Sequence, residues 1–432
     1  MPPFRTTSFR SCICETSREV GVFVCDVLSQ PHYGIPWRTP DPSAATKSSR
    51  ALPLARAEDI VVLSSPPSPE YFAWLKNLGL GPRNIVVYED PSMGVSIAER
   101  ILSNPARLKD SLAKVGRPGV YVPFYAGNKE LAAAQSTGLP LLGCPEDITL
   151  RFFNKEAFKE ECRALEIPTV EGASHDLGGA QSEPPSSQDL EALVSALLSN
   201  HSSLIVRPTL GGLKPQVYRA ESLNIQEVLA SISAHKPGRV LIEPLLKVIA
   251  SPNDQWCITR SKRVEHIGMS TQLFDGLRHT GNLNGQFFSE RTTATIHSMS
   301  ERIARRMSEV GYRGVLSIDY IISEQGIFPI QNNARLNGST FAFGIIENLG
   351  RLIGQIQCWK FLRAKGELAT FEDVRKRLSP ILFDGIRKNS VFVFDTDSLP
   401  TNGSVGILIA AEDMYHIEYL EGALREFGLM PL

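Results

Sequence analysis

Residues 317–335 read SIDYIISEQGIFPIQNNAR, two apolar runs separated by the polar tripeptide SEQ at 323–325. That spacing predicts an antiparallel hairpin closed by a short turn. Side chains alternate faces along a strand, so Gln331, Asn333 and Arg335 share one face, with Asp319 arriving from the neighbouring strand. Oxygen-bearing side chains at i and i+2 beside a carboxylate form a donor set for a hard cation such as Mg2+. The Arg335 guanidinium extends the same face and can contact a phosphoryl group in bidentate fashion. A purely structural hairpin gives this row no reason, because polar groups buried on one face require partners.

Two segments upstream suggest what such a site would serve. In SLIVRPTLGG (203–212) a strand ends on Arg207 and runs into Gly211 and Gly212. A cation fixed at a strand end, followed by glycines whose amides can approach closely, suits a phosphate-covering flap, although a strand and a Gly-Gly turn also make an ordinary hairpin. In RVLIEPLL (239–246) the polar Glu243 closes a buried apolar strand, and the extended residues after it can offer hinge carbonyls and amides to an adenine. Glu243 could equally be a solvent-facing strand end.

Further outward, the pattern becomes regular from Glu58. DIVVLSS (59–65), NIVVYED (84–90), GVYVPFYA (119–126) and LPLLG (139–143) read as strands, with one long helical pattern from Ser96 to about Val115. This alternation predicts a small parallel sheet with helices on its faces. Residues 176–188, DLGGAQSEPPSSQ, read as a surface loop. After the central hairpin come SVFVFD (390–395), GILIAA (406–411) and a closing helix from Asp413 to Phe427. The fold class expected is α/β, with an α+β part around the hairpin.

Composition narrows the functions. The 432 residues exceed one ordinary core, so two or three lobes are expected. Lys and Arg number 45 against 46 Asp and Glu, so any basic surface is local, and nucleic acid is not an expected partner. No apolar run reaches membrane-span length, and no membrane association is expected. MPPFRTTSFR at the N-terminus reads as an untidy tail. The seven cysteines form no CxxC pair, which points to reduced thiols and a cytoplasmic protein rather than a disulfide framework or a zinc site.

VRPTLGG, VLIEPLL and D-x11-QNNARLNGS, in that order, resemble the ATP-grasp superfamily. Within it, NARLNGS and TQLFDGLRHTGNLNG (271–285) are similar to segments of pheganomycin-type peptide ligases. The resemblance implies a two-lobed ATP-grasp fold preceded by a small pre-ATP-grasp lobe. Residues 1–57 then form an N-terminal extension and first strand, partly irregular, and 58–150 the pre-ATP-grasp domain. The N-lobe covers 151–250, the C-lobe with the metal site 251–379, and a C-terminal α/β segment packing on the core 380–432.

It further implies that Lys155, or else Lys159, reaches ATP phosphates, joined by Arg207, with Gly211 and Gly212 over the β- and γ-phosphates. Glu243 and Leu246 would flank the adenine, Asp254 would lie near the ribose, and Asp319, Gln331 and Asn333 would hold Mg2+. Arg335 would stand beside an acyl phosphate, and Arg278 and His279 would hold a substrate carboxylate or shuttle a proton. The implied activity joins a small-molecule carboxylic acid to an amine, amino acids and peptides included, with a homodimer as the default assembly.

Two residues depart from the superfamily pattern: Arg207 replaces the usual lysine and keeps its charge, whereas Gln331 replaces the usual glutamate and removes one. That loss motivates an alternative, a catalytically weakened relative that binds nucleotide as a regulator. A dehydrogenase is excluded because no GxGxxG follows DIVVLSS; Ser64-Ser65-Pro66-Pro67 stands there instead.

Overall fold

Apolar runs of strand length need both faces covered or one face packed, and the described residues meet that need with three sheets. The structure is a computed structural model that describes residues 6–30, 47–89, 94–176, 187–210, 216–219, 227, 239–285 and 288–432. The first sheet is parallel. Strands β1 (Val20–Val24), β2 (Ile60–Leu63), β3 (Asn84–Val87) and β4 (Gly119–Pro123) lie in the order β3-β2-β1-β4. Every residue of β1, β2 and β4 is buried, as expected for strands covered on both faces.

Three expectations for this lobe are corrected. LPLLG is no strand; it contributes one parallel bridge, Leu141 to Tyr121, and the four strands are completed by β1, within the stretch 1–57 where a first strand was expected. The long helical pattern divides into Ile97–Ser103 and Pro105–Val115, because Pro105 has no N–H to continue the ladder. The stretch read as an untidy tail carries regular structure among its described residues. Its short helix Phe9–Ile13 buries Phe9, Cys12 and Ile13, and Phe9 packs where a Cβ on Gly344 would stand.

The second sheet is antiparallel, with β5 (Ala173–Asp176), β6 (Ser203–Pro208), β7 (Gln216–Arg219) and β8 (Arg239–Pro244) in the order β5-β8-β6-β7. Helix Ser187–Asn200 covers it through Leu190 and Val194, which meet Leu204, Val206, Val240 and Ile242 in one cluster.

The third sheet has ten strands. They are β9 (Val248–Ala250), β10 (Pro252–Ile258), β11 (Val264–Asp275), β12 (Arg278–Asn284), β13 (Gly314–Ser323), β14 (Gly326–Asn333), β15 (Cys358–Lys365), β16 (Ser390–Asp395), β17 (Ser404–Ala411) and β18 (Met430–Pro431). The order is β14-β13-β10-β11-β12-β15-β17-β16, with β9 on β13 and β18 on β15. The expected β13–β14 hairpin is present, turning at Glu324 and Gln325 into Gly326, whose φ of +145 suits glycine. Residues 380–432 contribute β16 to β18, so the sheet runs unbroken from the preceding segment into this one.

Helix Glu290–Glu309 packs Ile296, Met299, Ile303 and Met307 against one face of this sheet. Helix Gly338–Ile353 lies between the sheet and the parallel lobe. It joins that lobe through Asn348, which donates to the carbonyls of Pro53 and Leu54 at 3.0 Å, and through the Glu347–Arg56 ion pair at 2.8 Å. The residues expected to form the functional site gather where these parts meet.

The fold of the parallel lobe depends on a fully buried carboxylate. Asp59 receives Arg10 at 2.6 Å, the Gly21 amide at 2.7 Å and the Arg56 amide at 2.8 Å. Asp59→Ala strands two amides and a guanidinium, and a loss of about 3 kcal/mol in urea unfolding is expected.

Candidate functional site

Register brings the site together. Asp319 on β13 pairs with Gln331 on β14 and, on its other side, with Asn253 on β10. Paired residues on adjacent strands share a face, so three chain segments place their oxygens on one patch. Asn253 donates to Asp319 Oδ1 at 2.5 Å, and Asn333 donates to Oδ2 at 2.9 Å. Gln331 and Arg335 both donate to Asn333 Oδ1, at 3.1 and 3.2 Å. Burial raises the Asp319 carboxyl to about 6, against the bonds from Asn253 and Asn333 and the charges of Arg335 and Lys155.

A second polar layer supports this patch. Gln255 donates to Asn253 Oδ1 and to Ser339 Oγ, both at 2.7 Å, and Ser339 donates to Asn253 Oδ1 at 2.8 Å. Asn337 caps helix Gly338–Ile353 by accepting from the Thr340 amide at 2.9 Å, and it donates to Ser317. The Arg335 guanidinium lies 5.3 Å from the Phe124 ring and 5.7 Å from the Phe153 ring, both from outside the large sheet. Leu336 donates its amide to the Phe124 carbonyl at 3.0 Å, tying β14 to the end of β4.

Further cations come from the helix Lys155–Ala164, which packs on β14, and from β6 of the second sheet. Lys155 and Lys159, one helical turn apart, are both buried on helix Lys155–Ala164, and the Lys155 amide donates to the Thr209 carbonyl at 2.9 Å beyond β6. Lys159 donates to Glu243 Oε1 at 2.8 Å, while Arg207 bonds Glu243 Oε2 and the Ile330 carbonyl at 3.2 Å. Burial works to raise the Glu243 carboxyl, and the charges of Arg207 and Lys159 overcome it. The Arg207 Nε is buried with no partner among the described residues. Burial first, and then Arg207 and Arg335, push Lys155 down to about 7 against the pull of Asp319 and Glu243. Four cations thus face two carboxylates, Glu243 and Asp319, a balance suited to a polyanion.

The expected residues divide by place. Lys155, Lys159, Arg207, Glu243, Asp319, Gln331, Asn333 and Arg335 belong to this connected region. The Glu243 side chain turns inward to the cations, and buried Leu246 lies in the extended link between β8 and β9. Gly211 and Gly212 lie outside the described residues. Asp254 is corrected: alternation puts it on the opposite face, where it receives Trp256 at 2.7 Å and pairs with His266 at 2.8 Å. Its neighbours Asn253 and Gln255 hold the site face instead.

Arg278 and His279 are not brought to Arg335. They stand on β12, three strands from β13, and half-exposed Arg278 pairs with Asp275 at 2.8 Å. His279 bonds Asn282 at 3.0 Å and Asn282 donates to Ser270 at 3.2 Å, beside Asn253, so a polar row crosses the sheet to the site. His279 itself lies at the exposed start of β12. Sequence reading missed Asn253, Gln255, Ser317, Asn337, Ser339, Phe124 and Phe153; the alternation of Asn253 and Gln255 in PNDQW was the one available signal.

No family model matches the chain. Among curated proteins it is similar to the carbamoyl phosphate synthase large chain of Vibrio cholerae, 22% identical over 258 residues, 57% of this chain and 22% of that one. The same protein from Vibrio parahaemolyticus matches at 22% over 255 residues. The chain spans about a fifth of the length of the curated relatives it matches.

Among solved structures, the biotin carboxylase domain of 2-oxoglutarate carboxylase from Hydrogenobacter thermophilus, in complex with MgADP, ADP and bicarbonate, superposes with a TM-score of 0.58 at 15% identity, covering 86% of this chain and 90% of that one. N5-carboxyaminoimidazole ribonucleotide synthetase from Thermus thermophilus gives 0.57 at 14%, covering 95% and 98%. Biotin carboxylase from Campylobacter jejuni gives 0.58 at 12%, covering 95% and 92%. A small parallel lobe, a four-stranded antiparallel lobe and a large antiparallel sheet, matched over nearly the whole chain, define the class: an α/β fold shared with biotin carboxylases and N5-carboxyaminoimidazole ribonucleotide synthetases.

Lys155 supplies a pH test with a definite sign. Its charge is present below about 7 and is lost as pH rises through that value. ADP affinity is expected to fall about tenfold from about pH 6 to about pH 8, and Lys155→Arg, measured by calorimetry, flattens the profile.

Proposed function

We propose that this chain is an ATP-dependent carboxylate–amine ligase, with MgATP as the phosphoryl donor. The observation that carries this reading is the convergence of Lys155, Arg207 and Arg335 with the buried carboxylate Asp319 where the three parts of the fold meet. The neighbours in complex with ADP, one of them with magnesium, support it.

The oxygen set of Asp319, Gln331, Asn333 and Asn253 fits one hard dication, with nucleotide phosphates completing its shell. It does not resemble a cage of carboxylates. Among the described residues no group of three His, Cys, Asp or Glu side chains can hold a metal ion. When bound, Mg2+ neutralises phosphate charge.

The chain's own residues do the rest. Lys155 and Arg207 hold the transferring phosphoryl group from the N-lobe side, and the unpartnered Arg207 Nε offers it a further donor. Arg335, braced over Phe124 and Phe153, balances charge as a substrate carboxylate attacks the γ-phosphorus and ADP leaves. An amine then adds to the acyl carbon and phosphate departs. Burial of Asp319 and Lys155 excludes the water that would hydrolyse such an acyl phosphate. The resemblance of NARLNGS and 271–285 to peptide ligases favours amino acids or peptides as substrates in natural-product assembly.

One observation favours a second reading. Asp319 is the single carboxylate of the metal patch, and both its oxygens already accept amide bonds. A nucleotide-binding regulator needs no more than that.

Phosphate release from MgATP with pooled amino acids and short peptides decides between the two. The ligase reading expects release that requires the pool and falls at least about a hundredfold in Asp319→Ala and in Arg335→Ala. ADP binding without stimulated release supports the regulator.

A further inference from the structure

A small cavity lies where the end of β4 meets the start of β13 and residues 334–336, which follow β14. Its wall includes Phe124 and Arg335, the ring and guanidinium already paired at the phosphoryl site. Val122, Leu142, Val315 and Leu336 complete the apolar part of the wall. The volume is about 10 Å3, the room of one water molecule.

Water is a poor occupant of this space. A buried water makes about three hydrogen bonds, and polar groups at this wall are engaged elsewhere. The Tyr312 hydroxyl donates to the Val315 carbonyl at 2.7 Å, and Arg313 donates to the Ser308 carbonyl at 3.1 Å. The Phe124 carbonyl accepts the Leu336 amide at 3.0 Å. Val122, Phe124, Leu142 and Val315 bring hydrocarbon, none of them more than 6% exposed. An apolar group of matching size gains contacts there that water cannot use.

The wall is also held in place. β4 pairs with β1 along its whole length, Val315 pairs with Cys257 on β10, and the Leu142 amide donates to the Tyr121 carbonyl at 2.9 Å. A cavity whose backbone is tied in three places does not widen cheaply, so it selects its occupant by size.

Arg335 links the cavity to the chemistry. The ligase reading, on which this step rests, sets the substrate carboxylate beside that guanidinium. The α-carbon of the acid, and whatever it carries, then lies next to the wall that Arg335 and Phe124 form. We propose that the cavity receives the α-substituent of the activated acid and limits it to a single methyl group. The ligase reading supplies the acid, and the size and hydrocarbon wall of the cavity supply the choice.

The test is binding of glycine, alanine, valine and leucine in the presence of MgADP, by ligand-observed NMR titration. Each is used free and N-acetylated, the second form standing for a peptide end. In the form that binds, the methyl-bearing member is expected to exceed valine and leucine at least about tenfold, because larger groups overfill the cavity. It is expected to exceed glycine about fourfold, the value of one buried methyl group. Leu142→Ala and Val315→Ala enlarge the cavity from two separate segments. Each is expected to raise leucine binding at least about tenfold relative to alanine, whereas a wall with only a structural part changes stability and leaves the order alone. Thermal unfolding checks each fold; either variant decides if the other fails to fold, and the wild-type series decides if both fail. A series with no size preference, no binding by any member, or an unchanged order in a folded variant overturns the proposal. Binding needs no turnover, so an ordered series without phosphate release removes the ligase reading and leaves the size selection standing. Phosphate release with a flat series removes the cavity's role alone.

Discussion

A carboxylate buried away from water must be surrounded by donors and positive charge, and Asp319 sets that requirement for the centre of this protein. Its two oxygens take amide donors from two different strands, Asn253 and Asn333. Lys155 from the helix Lys155–Ala164 and Arg335 from the end of β14 supply the charge. None of these groups is adjacent to Asp319 in sequence. The register of β10, β13 and β14, and the approach of helix Lys155–Ala164, follow from satisfying one anion. The same helix fixes Lys159 on Glu243, which anchors Arg207 in turn.

The parallel lobe is tied to this centre at several points. Leu336 bonds the Phe124 carbonyl, Asn348 bonds the chain at Pro53 and Leu54, and Phe9 fills the space beside Gly344. Placing the end of β4 against the end of β14 puts the Phe124 ring under Arg335.

Most of the fold was legible because strand-length apolar runs are strongly patterned, as in IVVL at 60–63 and the hairpin from 314 to 333. The misreadings have local causes. Pro105 divides a helix whose hydrophobic spacing continues through it, and LPLLG is apolar enough for a strand yet pairs at one residue only. The position of β1 in the sheet interior, between β2 and β4, was not legible, since its partners are distant in sequence. The resemblance implied a place near the ribose for Asp254, while the sheet turns its uncharged neighbours Asn253 and Gln255 toward the site.

By itself, the order of residues determined the element types, the shared face of Gln331, Asn333 and Arg335, and the ATP-grasp resemblance, because periodicity and short motifs are local properties of a chain. Only the tertiary structure decided which face of β10 looks into the site, that Lys155 and Asp319 share a desolvated space, and that Arg278 and His279 stand three strands away. Burial, register and the distance between charges from separate lobes depend on how the lobes pack, and no window of sequence contains that information.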